Sequence, residues 1–436
     1  MTALVYSSKS CPFRPKQERR SDLKRIAFIP LLLALLLCGS ARGERGEPGF
    51  RVAVASDLHY IAPALTDHGP FFTALTENSD GKLMRYMEEL TDAFLAEVEA
   101  ERPDALLLTG DLSFNGAVMS HEALAEKLRR LEAAGFPVLV VPGNHDLNNP
   151  GAAAFSGDGF TRVPSASASV FREIYRDFGY DEALSEDADS LSYVCPLNDT
   201  ARVMMLDFNT RDNPCGISDG TLRWVRGQLE DARRAGVFVL AAGHQNIFQQ
   251  TVFRGGYVID RAEELAALFR EYGVPLYLSG HLHVQHWMTA DGLTEIATSA
   301  LSVSPCQYGI VSAEDGALRY ETRVTDVSAW ARAEGRTEPE LLDFAAYAVG
   351  YFDARNRKST AEELSLSDYT AEEIERMTEY LVALNRAYFS GDMRAAADLD
   401  PDGEIRALWD RYPGLYSLYL ASIRGDMGHD YRSWTG

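Results

Sequence analysis

The chain has 436 residues, 46% apolar and 24% charged, an ordinary globular mix that excludes disordered, collagenous and polytopic membrane classes. Its formal charge is −22; so negative a body repels phosphate backbones, and no nucleic-acid polymer is expected as a partner. At about 150 residues per domain, the length admits two or three domains, or one large α/β domain with an appendage.

The first segment departs from this balance. Residues 1–43 carry eight Lys or Arg against two Asp or Glu, which leaves −28 on the rest. Arg19, Arg20, Lys24 and Arg25 precede an apolar run of twelve residues, Ile26 to Leu37. That is short of the roughly 20 residues that span a bilayer and suits a signal-peptide core. Gly39, Ser40 and Ala41 supply the small residues for a cut after Ala41 or Gly43. The segment is expected to export the chain to an extracytoplasmic or cell-surface location. Two variants compete. Leu35–Cys38 resembles a lipoprotein box, with Leu37 where a small residue is expected, and Arg19–Lys24 resembles a twin-arginine signal, with Asp22 where an apolar residue is usual. An uncleaved N-terminal anchor is the remaining alternative, and a membrane is expected only through such an N-terminal attachment.

From Phe50 to about Val324, short apolar runs alternate with helical stretches. Strands are expected over Arg51–Ser56, Ala105–Gly110, Val138–Gly143, Arg202–Asp207, Val237–Gly243 and Pro275–Gly280. Each is rich in Val, Leu or Ala, as strands buried on both faces are. Leu83, Met84, Met87, Leu90, Phe94, Leu95 and Val98 recur at helical spacing between the first two runs. Leu124, Leu128 and Leu131 do so between a Ser120 start and a Gly135 stop. Residues 293–324 read as closing antiparallel strands. This alternation predicts an α/β domain over residues 50–325. From 326 to 436 almost no strand signal remains, and segments 337–355, 370–388 and 412–424 predict a helical C-terminal region. Its apolar faces (Leu341, Leu342, Phe344, Ala345, Tyr347 and Ala348; Leu381, Leu384 and Tyr388) need burial, and packing on the α/β domain is expected. Beyond the leader lie Cys195, Cys215 and Cys306, an odd number with no CxxC. A Cys195–Cys215 bridge and three buried thiols both stay open.

Polar residues cluster where the strands end. Asp57 and His59 follow the first run, Gly110-Asp111 the second, and Gly143-Asn144-His145-Asp146 the third. Gly243-His244 and Gly280-His281-Leu282-His283 follow the last two. In open α/β sheets, ligands bind outside the carboxyl ends of the strands. One such pair is often a mere turn; five in this order are not. Carboxylates, an amide oxygen and imidazoles without thiolates suit divalent or trivalent ions such as Mn, Fe or Zn. Seven candidate ligands exceed the needs of one ion and suit two that share a carboxylate, a pair able to hold a hydroxide nucleophile and clamp a phosphoryl group. The glycines before Asp111, Asn144, His244 and His281 are expected to turn the backbone off the strand. His68, His121 and His429 read as surface residues, and His286 as a weak candidate for a substrate contact.

The five blocks DLH, GD, GNHD, GH and GHLH resemble the calcineurin-like metallophosphoesterase superfamily, over roughly residues 50–324. The stretches following Asp111 and Ser302 are similar to its exported bacterial branch. The resemblance implies a four-layer α/β/β/α sandwich with a dinuclear metal centre. It implies that Asp57, His59 and His283 hold one ion, that Asn144, His244 and His281 hold the other, and that Asp111 bridges them. His145 would protonate the leaving group or steady the phosphoryl oxygens, and Asp146 would orient the His145 ring. Gln245 stands where many relatives have a second histidine, which bears on substrate preference. The expected activity is hydrolysis of a small phosphate mono- or diester by a metal-bridging hydroxide. The alternatives are a nucleotide or cyclic-nucleotide phosphodiesterase, with Tyr60, Phe71 and Phe72 as an aromatic slot, and a non-catalytic binding protein. Tyr60, Asn115 and Gln307 are further pocket candidates.

Overall fold

Strands form where Val, Leu and Ala run without a polar break. The computed structural model describes residues 49–79, 81–210 and 215–436; the segment read as an export leader lies outside the described residues. In chain order the strands are β1 (Phe50–Ala55), β2 (Ala105–Thr109), β3 (Val138–Val141), β4 (Ala153–Ser156) and β5 (Gly159–Arg162). β6 (Ser185–Glu186), β7 (Tyr193–Asn198), β8 (Ala201–Leu206), β9 (Phe238–Gly243) and β10 (Leu276–Ser279) follow. The last are β11 (His286–Ala290), β12 (Leu293–Ala297), β13 (Gln307–Glu314), β14 (Ala317–Val324) and β15 (Ser433–Thr435). One sheet runs β15-β14-β13-β1-β2-β3, with β1, β2 and β3 parallel; the other runs β11-β12-β10-β9-β8-β7-β6, parallel through β12, β10, β9 and β8.

The period of two along a strand sorts the second sheet into two faces. Val203, Met205, Leu240, Ala242 and Leu278 join a core shared with Val52, Val54 and Leu107 of the first sheet. Met204, Leu206, Val239, Ala241 and Tyr277 point the other way, against Val225, Leu229, Leu265 and Phe269 of the Asp219–Ala235 and Ala262–Tyr272 helices. The Met87–Glu101 and Val118–Ala133 helices cover the first sheet through Leu90, Phe94, Leu124 and Leu128. Four layers result, helix, sheet, sheet, helix, as expected.

The expected antiparallel strands over 293–324 divide between the two sheets. Residues 293–297 pair antiparallel on one side only and lie in the second sheet. Asp291 and Gly292 both take positive φ (51° and 81°), a tight hairpin turn that folds β12 back on β11 and seats it parallel to β10. β13 and β14 are the antiparallel pair that completes the first sheet.

From Val327 the chain is helical almost to its end, with long helices at Phe344–Leu364 and Ala371–Ser390. The second opens on a capping box, Thr370 with Glu373, and stops at Gly391. Leu341, Phe344 and Ala348 enter the sandwich core, whereas Leu381, Leu384 and Tyr388 form a separate cluster that takes in Leu282 and Val284. The tail therefore packs on the sandwich. Its last residues add β15 to the β14 edge, a strand too short to show any alternation in sequence. No disulfide joins Cys195 to Cys215: Cys195 lies in the core between the sheets and Cys215 on the outer face of the second sheet.

Candidate metal centre

The five loops leave the carboxyl ends of β1, β2 and β3 in one sheet and of β9 and β10 in the other, so their polar residues meet across the top of the sandwich. The backbone bends hard to bring them there. Asp57 (φ 55°), His59 (48°), Asp111 (48°), His281 (68°) and His283 (60°) are all left-handed, and none is glycine. Such conformations cost about 1–3 kcal/mol each and persist only where the surroundings over-determine them. Five at one site mark it as the place where the fold stores strain. The glycines act partly through space rather than through turning. Gly110 does take φ 93°, but a Cβ on Gly143 would lie 2.2 Å from the Asp111 carboxylate, so the β3 loop can approach Asp111 only as glycine.

Two groups of ligand-type atoms share Asp111: Asp57, His59, Asp111 and His283, and Asp111, His244 and His281. Within each, the ligand atoms lie inside 4.8 Å of one another. Asn144 joins the second group, its Oδ1 3.1 Å from His244 Nε2. In the first, His283 Nε2 stands 3.2 Å from Asp57 Oδ1 and 3.3 Å from His59 Nε2. Asp111 Oδ2 faces both sides, 3.7 Å from His59 Nε2 and 3.4 Å from His244 Nε2, while its Oδ1 accepts the His145 N–H at 2.8 Å. Backbone carbonyls fix two of the rings: His244 Nδ1 donates to Thr109 O (2.8 Å) and His281 Nε2 to Gly256 O (2.9 Å), so the opposite nitrogens turn inward.

Burial alone would push the Asp57 and Asp111 carboxyls up, but His283 beside Asp57 and His244 beside Asp111 hold both well below the usual range. Burial, joined by the charges of Lys82 and His145, lowers His59. Burial and His244 bring His281 down to about 3. Burial opposes a proton on His244 too, but Asp111 outweighs it and lifts that ring to about 9. Two ionised carboxylates, the neutral rings of His59 and His281 and a protonated His244 therefore converge, and a cation bound here would displace the His244 proton. Asp57 Oδ1 is buried with no aligned hydrogen bond, facing the ring nitrogens of His283 (3.2 Å) and His59 (3.8 Å). Hard and borderline donors turned on one another in this way fit a pair of cations. Asn144, His145 and His283 are the partly exposed members, and they define the open side.

His145 touches this centre without belonging to either group. Its Nδ1 lies 2.8 Å from Phe114 O, and its Nε2 lies 3.9 Å from Asp111 Oδ2. Asp146 does not orient that ring, contrary to expectation. Its carboxylate accepts Leu112 N (3.0 Å), Ser113 N (2.8 Å), Ser113 Oγ (2.8 Å) and Gly143 N (2.8 Å). The side chain points back between the β2 and β3 loops, where unpaired backbone donors need an acceptor. Asp146→Ala would leave three buried N–H groups unsatisfied. Stability to urea is expected to fall by about 3 kcal/mol or more, well beyond the loss for His145→Ala; equal losses would refute this role.

Other weak candidates also prove structural. Tyr60 donates to Glu88, Asn115 to Ala153 O, and Gln307 to Ser390 O. Phe72 is buried and Phe71 packs on Phe155 and Phe160, so Tyr60, Phe71 and Phe72 form no common slot. His121 is buried against Ser113 and Tyr175 rather than exposed. His286 stacks on Tyr431 at 4.1 Å, joining the C-terminal region rather than the centre. A buried amide pair went unforeseen: Gln245 Nε2 donates to Asn209 Oδ1 (2.6 Å), and Asn209 Nδ2 donates to Pro142 O (3.0 Å), tying the β3, β8 and β9 loops together. Gln245 thus spends its amide inside the protein, and no sequence pattern marks Asn209 as its partner.

Comparison with known proteins supplies the context for this geometry. The family model for the calcineurin-like phosphoesterase domain matches residues 50–285, and that for the C-terminal domain of cyclic nucleotide phosphodiesterase matches residues 326–430. The uncharacterized metallophosphoesterase YkuE of Bacillus subtilis is 28% identical over 166 residues, 37% of this chain and 54% of that protein. A probable cyclic nucleotide phosphodiesterase of Vesicomyosocius okutanii is 39% identical over 59 residues, 14% of this chain and 24% of that protein. The chain thus spans about half, or less, of the length of these relatives. Among solved structures, a dimetal phosphatase from Danio rerio superposes with a TM-score of 0.47 at 14% identity, over 64% of this chain and 97% of that one.

Proposed function

The chain belongs to the calcineurin-like phosphoesterase family, and on that premise we propose that it is a metal-dependent hydrolase of small phosphate esters. The observation that carries this reading is the pair of ligand groups sharing Asp111. Asp57, His59 and His283 would hold one ion, and Asn144, His244 and His281 the other. When bound, two such cations activate water and offset the charge that develops on a phosphoryl group during in-line displacement. Mn, Fe and Zn all suit this set of oxygen and nitrogen donors.

The remaining chemistry falls to the chain itself. His145 Nδ1 donates to Phe114 O, which fixes the ring and leaves Nε2 on the open side of the centre. A proton on Nε2 is placed to reach the leaving oxygen of an ester entering past Asn144 and His283. Asp111 Oδ1 holds the His145 backbone, so one carboxylate sets both the metal bridge and the acid. The C-terminal match to a cyclic nucleotide phosphodiesterase domain favours a diester, a cyclic nucleotide among them, over a monoester. Export by residues 1–43 belongs to the same proposal, supported by the basic segment and the apolar run that follows it; an uncut amino terminus on protein recovered from the native cell would count against it.

Purified protein supplied with Mn²⁺ should be assayed on p-nitrophenyl phosphate, its bis ester and 3′,5′-cyclic nucleotides. Hydrolysis of at least one, abolished by a chelator and restored by metal, is the expected result. Full metal occupancy with no turnover on any of them would favour a binding protein on this fold.

A further inference from the structure

His281 and His283 sit on a loop with few ties of its own. Over residues 280–285 the backbone holds itself through Gly280 N to His244 O (3.0 Å) and Leu282 N to Gly280 O (2.7 Å), and His281 N donates to Asp57 Oδ2 (2.9 Å). Both histidines are left-handed, so something must oppose their relaxation. The far end of the loop is tied to the C-terminal region. Gln285 N donates to Phe389 O (3.2 Å), at the end of the Ala371–Ser390 helix. The Gln285 side chain is fully buried; its Nε2 donates to Tyr431 O (3.1 Å) and its Oε1 accepts the Tyr320 hydroxyl (2.9 Å).

Gly391 presses on the same residue. It takes φ 77°, and a Cβ there would lie 2.7 Å from Gln285 Cγ and 3.0 Å from Gln285 O. Alternation along the loop does the rest. Leu282 and Val284, each 2% exposed, point into the cluster of Phe352, Tyr388 and Phe389, while His281 and His283 between them turn to the centre. A second strut reaches His281 from behind. The Gly256 carbonyl that holds its Nε2 belongs to a segment whose Phe253 stacks on Tyr419 and whose Gln250 O accepts the Tyr388 hydroxyl (3.4 Å).

We propose that Gln285, seated against Gly391, is a positioning residue through which the C-terminal helical region holds His281 and His283 in their ligating geometry. The tail supplies no ligand; it fixes the loop that supplies two. The proposal rests on the metal-centre reading above and extends it to residues 326–436. Groups that hold a ligand from behind typically set metal affinity by about 10–100-fold.

The test is titration of the full-length apoprotein with Co²⁺, whose visible absorption reports ligand geometry. Gly391→Ala and the near-isosteric Gln285→Met are compared with Leu229→Ala, a core variant on the outer helix of the second sheet, 1% exposed and far from the loop. The expected result is Co²⁺ binding weakened at least about tenfold in Gly391→Ala and Gln285→Met, with an altered spectrum. Leu229→Ala should lower the apoprotein melting temperature and leave cobalt affinity unchanged. Should Gly391→Ala not fold, Gln285→Met against Leu229→Ala decides alone. Wild-type affinity and spectrum in Gln285→Met, or an equal loss in Leu229→Ala, would overturn the positioning role. A wild-type protein that binds no cobalt would instead sink the metal reading beneath it.

Discussion

Asp111→Asn is expected to cost both halves of the centre at once. Shape is preserved: the amide oxygen of asparagine can still accept the His145 N–H that Oδ1 accepts now. Charge is not. An NH₂ group would face His59 Nε2 and His244 Nε2 where Oδ2 now stands 3.7 and 3.4 Å away, turning donors toward any cation between them. Metal analysis of the variant should fall below one ion per chain, against two for the wild type. Activity should drop by more than the roughly 10–100-fold that follows loss of a group behind a ligand. An Asn variant that retains two ions and near-normal rate would show that Asp111 is not the bridge.

His145→Ala should separate chemistry from metal binding. The ring lies edge-on to His59 at 4.7 Å and belongs to neither ligand group, so metal content should stay at two. Loss of a positioned acid lowers rates by roughly 10²–10⁴-fold. The loss should be largest for alkyl esters, whose alkoxide needs a proton, and should shrink for p-nitrophenyl esters, whose leaving group does not. Equal losses across leaving groups would assign His145 to phosphoryl binding instead.

These two residues also mark how far the amino-acid sequence could be read. The ligand candidates stood out because charged residues directly after buried apolar strands are costly without a use, and the strand-end positions of Asp57, Asp111, Asn144, His244 and His281 followed from the apolar runs before them. Asp146 was legible as part of GNHD, but its direction was not: adjacent side chains on a tight loop diverge, and only the packed β2 and β3 loops show its carboxylate turned inward to three backbone donors. His121 carried no signal for burial, since one imidazole on an amphipathic helix reads alike whether it meets water or Ser113 and Tyr175.

The sequence by itself determined where the buried strands β1, β2, β3, β8, β9 and β10 run and which loops carry ligand chemistry, because periodicity and charge act over a few neighbouring positions. Helix ends were less legible: the Val118–Ala133 helix begins before the expected Ser120 start, and the Ser120 hydroxyl accepts Ala62 N instead of capping. Only the tertiary structure decided which strand joined which sheet at β12, which helices reach the loop at Gln285, and which buried amide Gln245 pairs with. Those outcomes depend on contacts between residues far apart in the chain, such as Gln285 with Phe389 and Tyr431, whose formation is set by the shape of the whole packed core and by no pattern within either segment.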